Sequence, residues 1–318
     1  MWSFLTESLA VTTPAFGLVL AGVACRRLGF LSDRFIDHAS RVVFNIGMPV
    51  VLFYGATQAD YGRALQSGSL FVGLIAITAT VGLAYGYACV RQVALCDRGV
   101  FVQGAYRSNM GILGVALCLS AYGDQGLALA ALPLAIWTVY YNIIAVVLLN
   151  STLGGDRSLL GMLVGMLKNP LIVGIGLGAS LAMLEVPIPD VVRVAGEWSA
   201  SLFIPFSLFC IGGALSLQAL KSSASLTLEA SLWRLVLAPL FSVLLAVAAG
   251  VRGPELGVFF FLLGGPTAAA SFVMVVVAGG NGALAANIVV LTTLLSTFSV
   301  TVGFYCLNAL GLPADFQK

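Results

Sequence analysis

The sequence predicts an all-α, polytopic membrane protein with ten transmembrane helices. Three observations support this: an apolar composition, a series of apolar stretches about as long as a bilayer is thick, and an internal repeat. Of the 318 residues, 60% are hydrophobic and 9% are charged, and the mean hydropathy is +1.04. Soluble domains carry about 25% charged residues. A water-soluble protein of this size could not hide so much apolar surface, so lipid has to cover it.

The apolar stretches are separated by polar or turn-rich segments. A spanning helix needs about 20 mostly apolar residues. The first stretch has no positively charged start of the kind that marks a secretory signal peptide, so we expect it to be retained as a helix. The ten predicted spans are 7–25, 34–56, 68–90, 99–121, 126–149, 169–185, 190–217, 227–250, 255–279 and 283–310.

The positions of Lys and Arg predict the orientation. Most of them lie in odd-numbered loops, for example Arg26, Arg91 and Lys168, whereas the even-numbered loops and the tails hold few, such as Arg63 and Arg252. Positively charged loops stay in the cytoplasm. We therefore expect both termini to lie outside the cytoplasm, and the short loops are typical of a bacterial inner (plasma) membrane protein.

The second half of the chain repeats residues of the first half at a nearly constant separation in the sequence. The corresponding residues are Pro14 and Pro170, Pro49 and Pro205, and Gly123 and Gly280. Each unit holds five predicted helices, an odd number, so the second copy enters the membrane from the opposite side. This predicts an inverted-topology repeat, which is common in secondary transporters. The first repeat is 1–150, a cytoplasmic linker is 151–168, and the second repeat is 169–318. The four prolines are candidate helix breaks or hinges.

The fourth and ninth predicted spans are interrupted at equivalent positions of the repeat. Glycine and proline loosen or end a helix, and broken backbone at membrane depth is stable only inside protein or beside a water-filled cavity. The N-termini of the resulting half-helices offer free N–H groups to an anion. Simple packing kinks are the alternative, because Gly and Pro are common in membrane helices. The interruptions contain Arg107, Ser108, Asn109 and Gly111 in the fourth span, and Gly264, Gly265, Pro266 and Thr267 in the ninth.

These segments resemble the auxin efflux carrier family of membrane transporters, in its short bacterial form. The resemblance implies a ten-helix fold similar to the bile-acid sodium symporters. Spans 1, 2, 6 and 7 would form a scaffold, often dimeric, and spans 3–5 and 8–10 a moving transport domain. Arg107 departs from the family pattern. The matching segments are the helix around Pro14, Phe44–Pro49, Ser108–Gly114, Lys168–Ile172, Pro266–Ala268 and Gly279–Asn287.

The resemblance further implies a secondary transporter of a small organic anion, such as a malonate- or malate-type carboxylate, with a proton or sodium as the candidate coupling ion. A carrier-fold sensor and a channel-like facilitator remain alternatives. An enzyme is not expected, because the sequence has no HExxH, GxSxG or Walker motif. The sequence gives no reason to expect a cofactor or a metal, and the net charge of +2 without a basic patch gives none to expect nucleic acid.

The candidate substrate-binding residues flank the two interruptions. Asn109 is the main candidate, because its amide can donate to a carboxylate; the alternative is an interhelical hydrogen bond without a ligand. An arginine at a helix centre costs about 2.5–3.5 kcal/mol, so Arg107 marks an anion pathway or an ion pair, unless it reaches the interface by snorkelling. The set is Asn109, Ser108, Arg107, Gly111, Gly265, Pro266, Thr267 and Ser271.

Glu197 is the candidate for ion coupling. The alternative is a structural pair with Arg193, four residues earlier on the same helix. Asp37 and Arg41 have the same spacing, and there we expect a structural pair.

Overall fold

A computed structural model of the chain describes residues 2–59, 68–154, 170–214 and 224–312, and these ranges are helical without a β-strand. In these ranges, two π-helical turns, Val43–Gly47 and Trp233–Leu237, join helices end to end, and a third, Met110–Gly114, leads directly into the helix that begins at Val115. The helices are α1 (Trp2–Arg27), α2 (Asp33–Val42), α3 (Met48–Thr57), α4 (Ser69–Val90), α5 (Leu95–Tyr106), α6 (Val115–Leu153), α7 (Pro170–Met183), α8 (Asp190–Ala214), α9 (Ala224–Leu232), α10 (Ala238–Ala248), α11 (Gly253–Gly264), α12 (Ala270–Val277) and α13 (Gly282–Ala309).

Seven helical segments within the described ranges are long and apolar enough to cross a membrane. Helices α7 and α11 are also apolar but shorter. The predicted class, an all-helical polytopic membrane protein, is confirmed, whereas the number of ten spans and the inverted repeat remain predictions. Residues 155–169, which include most of the predicted linker, lie outside the described part of the chain, as does the side chain of Asp37. The seven segments are Ser8–Arg27, Arg34–Thr57, Ser69–Val90, Met110–Leu153, Asp190–Ala214, Ser225–Ala248 and Gly282–Ala309.

The four predicted hinge prolines occupy different settings. Pro14 and Pro205 lie inside the uninterrupted helices α1 and α8. Pro49 lies in the first turn of α3, directly after a π-helical turn. Such a turn widens the backbone where a proline removes a hydrogen-bond donor. Pro170 is the first residue of α7. A hinge role for any of them remains a prediction.

The predicted break at Gly123 is a sharp kink inside α6. Gly123 has φ 57° and ψ −143°, a conformation that is open essentially to glycine alone. The segment before the kink folds back against the segment after it. The approach is close: a Cβ on Gly126 would lie 2.1 Å from the carbonyl oxygen of Cys118. The chain therefore reverses direction here, in the tight space that these two glycines provide.

Helices from opposite halves of the chain pair closely through glycines. In the α1–α8 pair, a Cβ on Gly22 would lie 2.1 Å from the carbonyl oxygen of Phe209. In the α3–α7 pair, a Cβ on Gly174 would lie 2.5 Å from the carbonyl oxygen of Pro49. Small residues allow such backbone approach between membrane helices. These helices belong to the spans for which we predicted a scaffold; that role remains a prediction.

The two short helices α5 and α11 lie at the centre of the fold. Every residue from Gly99 to Tyr106 is buried, and so is every residue from Leu256 to Gly264. Both helices end where the sequence predicted interruptions. Their C-terminal ends, buried on all sides, position the candidate site.

Candidate functional site

The two interrupted helices meet at their breaks. Helix α5 ends at Tyr106 and helical structure resumes at Met110, whereas α11 ends at Gly264 and α12 begins at Ala270. The two break segments run antiparallel and pair at Ser108 and Thr267. Each break satisfies backbone groups that the other leaves open, as the membrane interior requires. We call this junction the crossing.

Two backbone hydrogen bonds hold the crossing together. The N–H of Asn109 donates to the carbonyl of Pro266 at 2.8 Å, and the N–H of Ala268 donates to the carbonyl of Arg107 at 3.0 Å. Each break thus donates one backbone hydrogen bond to the other. They fix the position of one break relative to the other, so a ligand would meet both half-helices as one surface.

Arg234 caps the C-terminal ends of both α5 and α11. It lies in the π-helical turn Trp233–Leu237 and is 1% exposed. Its Nη1 donates to the carbonyl of Tyr106, and its Nη2 donates to the carbonyl of Leu263. The last carbonyls of a helix have no intrahelical partner and carry partial negative charge. A planar guanidinium, which presents several donors in a fork, satisfies both helix ends at once.

Thr267 contributes a further cap at the same place. Its hydroxyl donates to the carbonyl of Gly104, in the last turn of α5, at 2.7 Å. Its own backbone N–H donates to the Thr292 hydroxyl on α13 at 3.1 Å. Thr267 therefore connects α5, its own break and α13. The side chains of the protein itself satisfy the negative helix ends.

The positive helix ends lie beside the accessible part of the crossing. Asn109 directly precedes the resumed helix, is partly exposed, and its side chain makes no hydrogen bond to another described residue. Gly111 and Ile112, in the first turn of that helix, are also partly exposed, and Ala270 at the start of α12 is exposed. The first N–H groups of a helix are free to bind an anion. The candidate Asn109 thus has an amide available for a ligand.

Arg107 is directed inward rather than to the membrane surface. It is 5% exposed; its Nη2 donates to Asn142 Oδ1 at 2.6 Å and its Nη1 to the carbonyl of Tyr141 at 3.3 Å. Both partners lie on α6, so the structure does not show the snorkelling alternative. In the described ranges, neither Arg107 nor Arg234 forms an ion pair with a carboxylate. Two buried cations therefore lie near the crossing without an acidic partner in the described ranges.

The remaining candidates differ in how close they come to the crossing. Gly265 and Pro266 form the second break, and a Cβ on Gly265 would lie 3.0 Å from Ser108 Oγ. The Ser108 and Ser271 hydroxyls are both buried, and neither has a hydrogen-bond partner in the described part of the chain. Ser271 lies in the first turn of α12. The structure therefore brings the candidates of the two breaks together, while the Arg107 side chain extends to α6.

Glu197 forms the structural pair that we gave as its alternative role. Arg193 Nη1 lies 2.8 Å from Glu197 Oε1, and Arg193 Nη2 lies 3.5 Å from Asp190 Oδ1. The Tyr54 hydroxyl is 3.5 Å from Glu197 Oε1. None of these partners belongs to either break. A coupling role for Glu197 remains a prediction.

Sequence reasoning missed Arg234, which the structure places at the centre of the site. The signal was present, because Arg234 is a lone arginine inside the predicted span 227–250 and carries the same insertion cost as Arg107. It also missed Tyr141 and Asn142, whose role depends on where Arg107 points. No group of three or more His, Cys, Asp or Glu residues that could hold a metal ion occurs among the residues that the structure describes.

Comparison with known proteins identifies the family. A family model described as membrane transport protein matches residues 14–304. The chain belongs to this membrane transport protein family, the family of the auxin efflux carriers. The predicted resemblance is therefore confirmed, and the protein is a multi-pass membrane protein of a transporter family.

Two archaeal relatives extend this membership. An uncharacterized transporter of Methanocaldococcus jannaschii is 25% identical over 254 residues, which cover 76% of this chain and 80% of the relative. An uncharacterized transporter of Methanothermobacter thermautotrophicus is 26% identical over 245 residues, covering 76% of this chain and 79% of the relative. Both relatives share the broad designation of transporter with the family.

Proposed function

We propose that this family member is a secondary active transporter of a small organic anion, whose carboxylate binds at the crossing beside Asn109. The charge arrangement there is the observation that supports the proposal. Arg234 and Thr267 cap the negative helix ends, while the positive ends adjoin accessible surface. Two buried guanidinium groups add positive charge without an acidic partner in the described ranges. The resulting positive electrostatic potential favours an anion as the ligand.

The expected binding energy suits reversible transport. An anion at a helix N-terminus gains about 0.3–1 kcal/mol, rising to about 2 kcal/mol in partly buried sites. A hydrogen bond from the Asn109 amide to a charged carboxylate adds about 1.5–3 kcal/mol. Two helix ends and one amide therefore supply several kcal/mol. The site would hold its ligand without trapping it.

The transport cycle that we propose is alternating access. The helices α1–α3, α7 and α8 would form a stationary scaffold, and α4–α6 with α9–α13 would move as a unit that carries the crossing. The ten-span inverted repeat with both termini outside the cytoplasm, a homodimer formed through the scaffold, and coupling to a proton or sodium belong to the same proposal. Broken helices at the interface of two repeats are the usual binding site in such carriers.

Uptake into proteoliposomes tests the proposal. Radiolabelled mono- and dicarboxylates are offered under an imposed proton gradient, sodium gradient or membrane potential. We expect saturable accumulation by the wild-type protein and loss of uptake in Asn109→Ala. The matched control is Asn45→Ala, because Asn45 is exposed and its amide donates to the carbonyl of Arg41, one turn earlier in the chain. That variant should transport normally.

The same assay separates the alternatives. Flux that equilibrates but never accumulates under any gradient would favour a facilitator. Ligand-induced thermal stabilisation without any flux would favour a sensor, because a ligand stabilises the state that it binds. Unchanged transport kinetics in Asn109→Ala would remove Asn109 from the mechanism.

A further inference from the structure

We propose that a set of polar contacts on one side of the crossing forms a gate, which is closed in this structure and opens in the alternate state. We call this the Gly123 side, because half-helix Met110–Tyr122 leads from the crossing to Gly123 there. The contacts join the scaffold group (α1–α3, α7 and α8) to the crossing group (α4–α6 and α9–α13). The inference rests on the proposed alternating-access function and adds to it the residues that close one end of the path.

The first part of the gate is a polar seam between α1 and α13. Thr12 Oγ1 lies 2.7 Å from Thr301 Oγ1, and Asn308 Nδ2 donates to Ser8 Oγ at 3.5 Å. All four residues are buried, Ser8 and Thr12 almost completely. Ser, Thr and Asn side chains commonly hydrogen-bond across the interfaces of membrane helices, so these four residues form a polar connection between the two groups.

In the closed seam, one hydrogen-bond acceptor is left unsatisfied. The Oδ1 atom of Asn308 is buried and has no hydrogen-bond partner among the residues that the structure describes. A buried amide oxygen without a partner is destabilising, whereas water would satisfy it if the two helices separated. The polar side chains of the seam therefore fit a surface that is dry in one state and hydrated in another. This is the property expected of a gate.

The seam is connected to the crossing by the interrupted helix. Ser120, one turn before Gly123, donates from its hydroxyl to the carbonyl of Val11 on α1 at 2.8 Å. The same helical segment begins at Met110, directly after Asn109. A displacement of this segment away from α1 would expose the path between the seam and Asn109.

A second contact closes the same side between α3 and α6. The Tyr54 hydroxyl lies 3.5 Å from Asp124 Oδ2 in the crossing group and 3.5 Å from Glu197 Oε1 in the scaffold group. One hydroxyl hydrogen can be donated to only one of these carboxylates at a time. Arg193 balances the charge of Glu197 from the scaffold side. The Tyr54–Asp124 contact thus adds a further link between the two groups, and its length makes it easy to break.

The crossing itself is less tightly covered than the gate. Asn109, and Gly111 and Ile112 at the start of the half-helix, keep partly exposed surfaces. A Cβ on Gly111 would reach the scaffold residue Leu171 only at 3.8 Å, an ordinary contact. The structure therefore corresponds to a state in which the gate contacts on the Gly123 side are formed while Asn109 at the crossing keeps exposed surface.

A reversible cross-link tests the gate. The pair Thr12→Cys and Thr301→Cys would place two thiols where the hydroxyls now lie 2.7 Å apart. The control pair is Gly99→Cys and Thr152→Cys, which joins two helices of the crossing group; a Cβ on Gly99 would lie 3.3 Å from the Thr152 Cβ, close to disulfide geometry. The accessible native cysteines are replaced by alanine in both; they are Cys25, Cys89, Cys96 and Cys306.

The expected result is specific to the pair. Oxidation should lower carboxylate uptake by the Thr12/Thr301 double variant by about tenfold or more, because a locked gate cannot complete the cycle, and a reducing agent should restore it. The control pair should transport equally well oxidised and reduced. Disulfide formation is counted from the thiols left for a maleimide reagent after denaturation.

Two outcomes would overturn the gate. One is normal uptake in the oxidised Thr12/Thr301 variant; the other is failure of that disulfide to form, since the two positions would then not be adjacent in any populated state. Absence of uptake in the reduced variant and in the wild-type protein would instead defeat the proposed function itself.

A second variant tests the gate without a cross-link. Tyr54→Phe keeps the ring that packs against Gly196 and removes only the hydroxyl. We expect a membrane-impermeant thiol reagent to label Thr301→Cys about two- to tenfold faster in this background, the factor that corresponds to the loss of one hydrogen bond. An unchanged labelling rate would exclude the Tyr54 contact from the gate.

Discussion

Replacing Arg234 by methionine would remove the group that caps both half-helices at the crossing. The guanidinium donates to the carbonyls of Tyr106 and Leu263, and the residue is 1% exposed, so water cannot replace it without rearrangement. Methionine has a similar length and flexibility but no donor. The substitution therefore leaves two buried carbonyl groups without a partner while it largely preserves packing.

The magnitude follows from these two carbonyls. A buried acceptor without its donor costs about 1–3 kcal/mol, so two of them cost about 2–6 kcal/mol. Removal of the guanidinium also relieves the cost of burying its charge, which offsets part of the loss. We therefore expect the free energy of unfolding to fall by about 2 kcal/mol, the lower end of this range. For a protein of this size, that corresponds to a fall in Tm of roughly 4 °C.

Thermal unfolding in detergent and uptake into proteoliposomes measure the effect. We expect Arg234→Met to unfold at a lower temperature and to lose transport, and Arg234→Lys to fall between it and the wild type, because one ammonium group cannot reproduce the planar fork. The control is Arg91→Met. Arg91 pairs with Glu229, but its side chain is 50% exposed, and exposed pairs contribute little to stability.

If Arg234→Met matches the wild type in both assays, Arg234 stabilises neither the fold nor the crossing. A lower Tm with normal uptake would show that Arg234 supports the fold but not the crossing. Equal losses in Arg234→Met and Arg91→Met would show that burial does not separate the two arginines.

Two further predictions concern charge and packing. We expect Arg107→Gln to raise the apparent KM for the anion more than it lowers the yield of folded protein, because it removes positive charge near the crossing. Uptake at a series of anion concentrations measures the KM, and size-exclusion chromatography measures the folded yield. The reverse pattern would mark Arg107 as structural. We expect Gly22→Ala to destabilise the protein by about 1–3 kcal/mol through overpacking, since its Cβ would lie 2.1 Å from the carbonyl oxygen of Phe209. Gly17→Ala, on the same helix with nothing within 4 Å, is the control and should leave the Tm in detergent unchanged.

The sequence predicts those features of the site that depend on local backbone chemistry. Gly265 and Pro266 cannot continue a helix well, and Gly123 adopts a conformation that other residues avoid. These properties belong to the residues themselves, so the interruptions and the reversal at Gly123 were visible without a structure. The apolar composition predicted the membrane-protein class for a similar reason, since each span contributes to it independently.

Features that depend on distant partners were not predictable in the same way. Whether Arg107 points to the interface or to the interior depends on Asn142, which lies on another helix. The role of Arg234 depends on two carbonyls, each from a different helix. An insertion cost signals that such an arginine matters, but only the packed structure shows which groups it contacts. The pairing of α1 with α13 was likewise invisible.

The crossing also has a consequence for biosynthesis. Helices α5 and α11 have 12 residues each, too few to traverse the hydrocarbon layer alone. The open backbone groups of the first break find their partners around Pro266, which the ribosome adds only after much of the second half has been made. During translation, the first break should therefore lack its backbone partners until Pro266 has been synthesised, and the crossing should form late. Substitutions in either break should accordingly make the nascent chain a substrate for membrane-protein quality control before any defect in cargo handling becomes measurable.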